Sequence, residues 1–242
     1  GGPHRVRRMS PSKIQISVPT RGDVNFNTLR RLSEIREANP SLPPVHFEAG
    51  RLSVASVRNE IVRKFLKTDH EILLMVDDDL TPHRDVLAMS QYLRLSALET
   101  SEPRYDIVGA PYMLLRQPIA MIATPCVFNR GPRGGFKFIP EVFSQTGLVA
   151  CDAVGTGCIM ISRRVAEDRR CLPFSLGVDG DGVMVMTEDL LFCVRAKEVG
   201  YTIAADFTRF ADHWNCISLN TVHKGYMDAF VKAGKTLTDV PS

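Results

Sequence analysis

The chain is first defined by what it lacks. No apolar run in its 242 residues approaches the ~18 needed to span a bilayer. No hydrophobic leader core follows the basic start, and no N-x-S/T acceptor occurs with a permitted middle residue. These absences set the expectation of a soluble, cytoplasmic protein. The six cysteines (126, 151, 158, 171, 193 and 216) include no CxxC pair and no metal-finger spacing. Several fall in apolar segments, where a thiol serves as a small core residue, so a reducing compartment is expected. Acids are missing from residues 1–13, which hold Arg5, Arg7, Arg8 and Lys13, and from 107–140, which hold Arg116, Arg130, Arg133 and Lys137. Over the whole chain, 30 Lys and Arg against 27 Asp and Glu leave +3, which permits an anionic partner without demanding one.

What is present suits one domain. A hydrophobic content of 44% can build a full core, and no repeat, low-complexity tract or linker divides the chain. The expected organisation is a basic, flexible 1–13 followed by a single domain over 14–242, with halves 14–106 and 107–242. IQISV (14–18) is a strand that stops at Pro19, and a helix with Leu29, Leu32 and Ile35 on its apolar face follows. PVHFEAG (44–50) is a second strand, and Val54, Val57, Ile61, Val62 and Phe65 mark a second helix. ILLMV (72–76) is a third strand, and Thr81-Pro82 supplies a cap and first turn for a helix to about Glu99.

Three β-α alternations predict an α/β fold with a mainly parallel sheet flanked by helices, and ligands outside the carboxyl ends of its strands. The second half is less regular. IVGAPYML, PCVFNR and GCIMISRR are strand-like, PRGGFKF is a hairpin or loop, and a capped helix runs from Thr187-Glu188-Asp189 to near Gly200. YTIAAD, FTRFADHWN and an amphipathic segment complete the chain.

The chemistry concentrates where ILLMV drives into Asp77-Asp78-Asp79. Three adjacent carboxylates repel one another, so either they form a solvated turn or something positive offsets them. A hard cation such as Mn²⁺ or Mg²⁺ that also binds a diphosphate needs only one or two protein carboxylates. Alternation along an extended chain would place Asp77 and Asp79 on one side and Asp78 on the other.

The order PTR after the first strand, Arg58-Asn59 in the second helix and hhhhDDD after the third strand resembles a GT-A glycosyltransferase, in particular the inverting family 2-like enzymes. DAVGTGCIMISRRV (152–165), TEDLLFCVRAKEVGYTIAAD (187–206) and the histidine of ADHWN (211–215) look like that family's acceptor-side strand, its E-D helix and its late histidine. The resemblance implies a Rossmann-like GT-A fold with a smaller mixed acceptor-side sheet and a nucleotide-sugar donor, UDP-sugar favoured. It implies metal ligands Asp79 and His213, with Asp77 near the metal or ribose. Pro19, Thr20, Arg21 and Glu48 would form a nucleoside pocket, with Arg58 and Asp78 also on the donor side and Gly157 in a small-residue floor. Asp189 would be the general base, with Glu188 positioning the acceptor. Glu48 departs from the family's usual Asp.

Each feature has a plainer reading. Glu188 and Asp189 suit the positive start of a helix, and His213 is compatible with an ordinary core or surface histidine. GVDGDGVMVMTE matches part of a calcium loop but has Gly177 where the first acid belongs, so a lid over the acceptor site is expected instead. The rival enzyme is a nucleotidyltransferase, for which PTRGDVN is a poor phosphate loop, and the non-enzymatic rival is a silent sugar- or nucleic-acid-binding module. The acid-free stretches, together with Arg163, Arg164, Arg169 and Arg170, suggest a phosphate backbone as acceptor. The compact form is similar to phage-type transferases acting on hydroxymethylpyrimidines in DNA, which makes modified duplex DNA the expected acceptor, ahead of a glycan, protein or small molecule.

Overall fold

Seven residues from Ile14 to Thr20 (β1) are all buried, so the first strand is a central one with neighbours on both sides. The computed structural model of the chain describes residues 10–50, 53–95, 104–117, 122–132, 135–138, 145–215 and 217–218. In it β1 lies between His46–Ala49 (β2) and Ile72–Val76 (β3), parallel to both. These belong to a seven-stranded sheet that continues from β3 through Cys158–Ser162, Ile107–Gly109, Ile203–Asp206 and Leu148–Cys151. Only Cys158–Ser162 and Leu148–Cys151 run against the other five strands. The result is a mainly parallel α/β sheet flanked by helices, with small antiparallel sheets attached, as a Rossmann-like GT-A architecture requires.

Phe26–Ala38 (α1), Val54–Phe65 (α2), Arg163–Glu167 (α3) and Glu188–Val199 (α4) are the α-helices among the described residues. Asn25 caps α1 by accepting from the Asn27 N–H, and Ser53 caps α2 by accepting from the Ser56 N–H. At the other end of α4, Gly200 takes a left-handed φ of 97°. The Tyr201 N–H then reaches back to the Ala196 carbonyl, which stops the helix where the sequence placed its end.

Three local expectations are corrected. β1 does not stop at Pro19, because there it pairs only with β2, and the proline ring meets no donor-hungry neighbour on its other side. In α1 the core stripe is Thr28, Leu32 and Ile35, while Leu29 is 41% exposed. Thr81 does not cap a long helix. Leu80–Thr81 pairs antiparallel with Asp212 and His213, and the Thr81 hydroxyl accepts from the Trp214 indole at 2.9 Å. Only a 3₁₀ segment, Val86–Tyr92, follows, and residues 96–103 lie outside the described residues. The 177–187 segment is a small hairpin in which Gly177–Val178 pairs with Met184–Met186. The amphipathic segment at the end of the chain lies outside the described residues, as do Arg5, Arg7, Arg8 and Arg133.

The core is continuous from the sheet to the lower part of α4, and Cys126, Cys151, Cys158, Cys171 and Cys193 are buried free thiols within it. Near the carboxyl end of β3 the packing is tight enough to require glycine. A Cβ on Gly155 would lie 2.2 Å from the Tyr112 hydroxyl and 2.3 Å from Cys126 Sγ. Gly155→Ala should therefore destabilise the protein by roughly 1–3 kcal/mol through overpacking, read as a lower midpoint in urea unfolding. An unchanged midpoint would mean that Tyr112 and Cys126 move aside freely.

Candidate active site

At the end of β3 the chain leaves its extended path. Residues 78 and 79 form a turn closed by the Leu80 N–H on the Asp77 carbonyl at 3.1 Å, so strand alternation does not govern the aspartates. Each carboxylate instead finds its own partner. Asp77 is gripped through both oxygens by one Arg58 nitrogen, at 2.8 and 2.9 Å. Asp78 accepts from the Arg21 backbone N–H at 3.3 Å, while its carbonyl accepts from Asn25. Asp79 faces His213 Nε2 at 3.2 Å. Repulsion within the triplet is thus offset by a guanidinium, a backbone donor and an imidazole.

The three aspartates line one cleft of about 370 Å³ together with Pro19, Thr20, Arg21, Gly50, Ser53, Val54 and Val57. It opens at the carboxyl ends of β1, β2 and β3, where this architecture binds ligands. Of the expected donor-side residues, Pro19, Thr20, Arg21, Asp77, Asp78 and Asp79 are in that lining. Glu48 is not: its carboxylate binds Lys64 at 2.6 Å and His46 at 3.3 Å beside α2. Arg58 is also held away from the opening, because its other terminal nitrogen donates to Glu188 and the side chain is only 3% exposed. Gly157 lies beside the turn, its carbonyl accepting from the Asp77 N–H at 2.7 Å. A Cβ there would approach Tyr112 and Asp77, so its use is close packing under the aspartates.

Glu188 and Asp189 open α4, but Thr187 does not cap it in the expected way: the Thr187 hydroxyl donates to Asp189 Oδ1. Glu188 is turned inward to Arg58, while Asp189 is half-buried. Tyr112 links the two sides and went unnoticed in the sequence, because within APYML it reads as one more apolar strand residue. Its ring meets His213 edge-on at a centroid distance of 5.6 Å, and its hydroxyl accepts from the Gly157 N–H at 3.3 Å. Burial holds the phenol far above its ordinary titration range, and the nearby negative charges of Asp77 and Asp189 push the same way. Tyr112 therefore stays neutral. Ser53, Val54 and Gly50 were likewise missed as lining residues, since a cap and a loop glycine give no binding signal in sequence.

Among the described residues no group of three or more His, Cys, Asp or Glu side chains is arranged around a common metal position. Asp79 and His213 remain as a two-residue donor set, and Asp77 is occupied by Arg58. That set fits a hard cation taking its other ligands from a diphosphate and water. His213 Nδ1 lies 2.7 Å from the Met113 carbonyl, and an N–H held there leaves the Nε2 lone pair facing Asp79.

The basic clusters lie elsewhere. Cys158–Ser162 runs antiparallel to β3, with Cys158 opposite Val76 at the cleft end and Ser162 opposite Ile72 at the far end. Arg163 and its followers consequently emerge far from the aspartates. Arg163 donates to the carbonyls of Leu66, Thr68 and His70, Arg164 pairs with Asp106, and Arg170 with Asp168. Arg163 and Arg164 thus serve the fold, whereas Arg170 is exposed and its carboxylate partner is a near neighbour in sequence.

No family model matches the chain, and no curated protein matches it. Among solved structures it is similar to A197 from STIV, with a TM-score of 0.51 and 16% identity over 83% of this chain and 85% of that one. At that identity the likeness shows the fold alone. A looser overlay on UDP-glucose pyrophosphorylase complexed with UDP-glucose has a TM-score of 0.38 and 9% identity over 94% of this chain and 85% of that one. It is too loose to support an argument.

The Asp79–His213 pair has a measurable signature. Burial opposes an imidazolium at position 213, but the hydrogen bonds to Asp79 and Met113 and the charges of Asp79 and Asp77 outweigh it and raise the His213 pKa above 6.5. The pair's contribution to stability is therefore complete below the unfolded-state value and is lost as pH rises through the folded-state one. An NMR titration of the metal-free protein should show the His213 midpoint above 6.5, falling in Asp79→Asn. An identical midpoint in the two proteins would show that Asp79 does not bear on His213.

Proposed function

We propose that the chain is a metal-dependent inverting glycosyltransferase, taking its sugar from a nucleotide-sugar, UDP-sugar favoured, and passing it to a hydroxyl acceptor. The observation that carries the reading is the convergence of Asp79, from the turn after β3, and His213, from near the end of the described chain, beside a cleft walled by Pro19, Thr20 and Arg21.

In this reading Asp79 and His213 would hold Mn²⁺ or Mg²⁺, which when bound would supply positive charge to offset that of a departing diphosphate. Pro19, Thr20, Arg21 and Ser53 line the wall against which the nucleotide rests, and α2 begins directly beneath it. Asp189 takes the proton from the acceptor hydroxyl. That oxygen forms its bond to the anomeric carbon as the bond to the diphosphate oxygen breaks, and the electron pair leaves with the nucleotide. Asp189 is suited to the work because it is half-buried and its neighbour Glu188 is fastened to Arg58.

For duplex DNA, the described basic residues outside the 163–170 cluster include Arg130 and Lys137 on the small antiparallel sheet. Arg130 donates through its backbone to Asp152, which pairs with Lys197 near the end of α4, whereas Asp189 stands at its start. A hydroxymethylated duplex is therefore one arm of an acceptor screen, beside glycan, peptide and small-molecule hydroxyls. A nucleotidyltransferase would release pyrophosphate, and the proposed enzyme a nucleoside diphosphate, so the same screen separates them.

Two substitutions test the chemistry. Asp79→Ala should reduce turnover ~10²-fold or more and weaken the dependence on Mn²⁺. Full activity in that variant, or undiminished activity in excess chelator, would remove the metal from the reading. Asp189→Asn should leave donor binding intact by calorimetry while transfer collapses, since the amide keeps the shape and loses the base. Donor affinity falling in step with the rate would make Asp189 a binding residue.

A further inference from the structure

Arg58 is the most deeply buried charged side chain around the cleft, and its position is more informative than its charge. One terminal nitrogen takes both oxygens of Asp77 at 2.8 and 2.9 Å, and the other donates to Glu188. A planar guanidinium with donors in a fixed fork can engage two carboxylates at a set angle. The two it engages belong to opposite sides of the proposed reaction: Asp77 opens the turn that carries Asp79, and Glu188 directly precedes Asp189. The next residue along α2 makes a second tie. Asn59 donates to the Phe174 carbonyl at 2.9 Å and accepts from the Phe174 N–H at 2.7 Å. Arg195 of α4 in turn donates to the Pro173 carbonyl at 2.9 Å. Two adjacent side chains of α2 therefore hold the aspartate turn, the start of α4 and the segment leading to it as one unit.

We propose that Arg58 is a positioning residue that holds the donor-side turn and the acceptor-side helix at one fixed separation, keeping Asp79 and Asp189 in register for transfer. The inference rests on the proposed function for its chemistry. It assigns Arg58 no contact with the nucleotide, because the guanidinium is 3% exposed, is absent from the cleft lining and cannot be reached without displacing Asp77 or Glu188. Without Arg58, two partly buried carboxylates would face each other and drive the turn and the helix apart. Lysine keeps the charge but, as a compact point, cannot span both partners.

Steady-state kinetics of Arg58→Lys should show kcat reduced ~10-fold or more, since small misplacements of reacting groups cost that much, with the donor KM within about threefold of native. A raised KM at unchanged kcat would make Arg58 a donor contact, and two unchanged constants would make it a packing residue; either overturns the inference. A second measurement needs no turnover. Denaturant unfolding of Asp77→Asn, Glu188→Gln and the double variant should be non-additive with Arg58 present and additive in the Arg58→Lys background. Additivity in both backgrounds removes the bridge. A native protein that transfers no sugar from any nucleotide donor, yet shows the non-additive cycle, would overturn the proposed function while leaving the bridge in place.

Discussion

A single guanidinium between two carboxylates governs how this site is built. Arg58 sits on the buried side of α2, and removing it would leave Asp77 and Glu188 facing each other without a counter-charge. Breaking a buried pair of this kind typically costs about 3–5 kcal/mol, a large share of a domain's stability. Burial by itself disfavours the charged arginine, but attraction to Asp77 and Glu188 outweighs it, and the Arg58 pKa is raised. The same buried environment, with Asp79 and Asp78 close by, lifts the Asp77 carboxyl above its usual range even against the pull of Arg58. The ion pair is therefore an arrangement that only the folded chain can sustain, and the fold around it has to be stiff.

That stiffness comes from close approach. Gly155 and Gly157 let the Tyr112 ring lie directly under the turn, where the hydroxyl meets the Gly157 N–H and the ring edge meets His213. His213 is held from behind by the Met113 carbonyl and from the side by the short pairing of Asp212 and His213 with Leu80 and Thr81. The lone tryptophan adds to this, its backbone N–H on the Asp79 carbonyl at 2.9 Å and its indole on Thr81. Each aspartate thus has a separate support, so one turn can present three carboxylates without collapsing or flying open. By contrast, the hairpin before α4 exposes Val178, Val183, Met184 and Val185. Its turn is closed locally by Asp179, which accepts from the N–H groups of Asp181 and Val183.

Much of this arrangement is legible in the residues. Apolar runs located β1 and β3, the 3.6-residue period located α1 and α2, and the acidic start and closing glycine located α4, each to within a few residues. The aspartates were expected at a strand end and are there, at the mouth of a cleft. What the sequence did not show is of one kind, the partner that each side chain takes. Thr81 carries a good cap signal, yet its hydroxyl serves Trp214, a residue more than a hundred positions away. Glu48 has the sequence position of a binding residue, yet a lysine on the neighbouring helix takes it. Arg163 and Arg164 look like part of a basic track, yet carbonyls and a buried carboxylate of the fold take them.

Local chemistry by itself determined where β1, β3, α1, α2 and α4 lie to within a few residues, and that the acids would gather after the third strand. Propensity, periodicity and capping act over a few residues, so a linear reading suffices for them. The partner of each charge was decided only by the tertiary structure. Electrostatic and hydrogen-bond energies depend on distance and burial, and both are set when strands far apart in sequence are brought side by side. Asp77, Asp78 and Asp79 are three identical letters in a row. Their separation into an ion-paired, a backbone-bound and an imidazole-facing carboxylate exists only because α2, the loop after β1 and the strand at 212–215 meet at one turn.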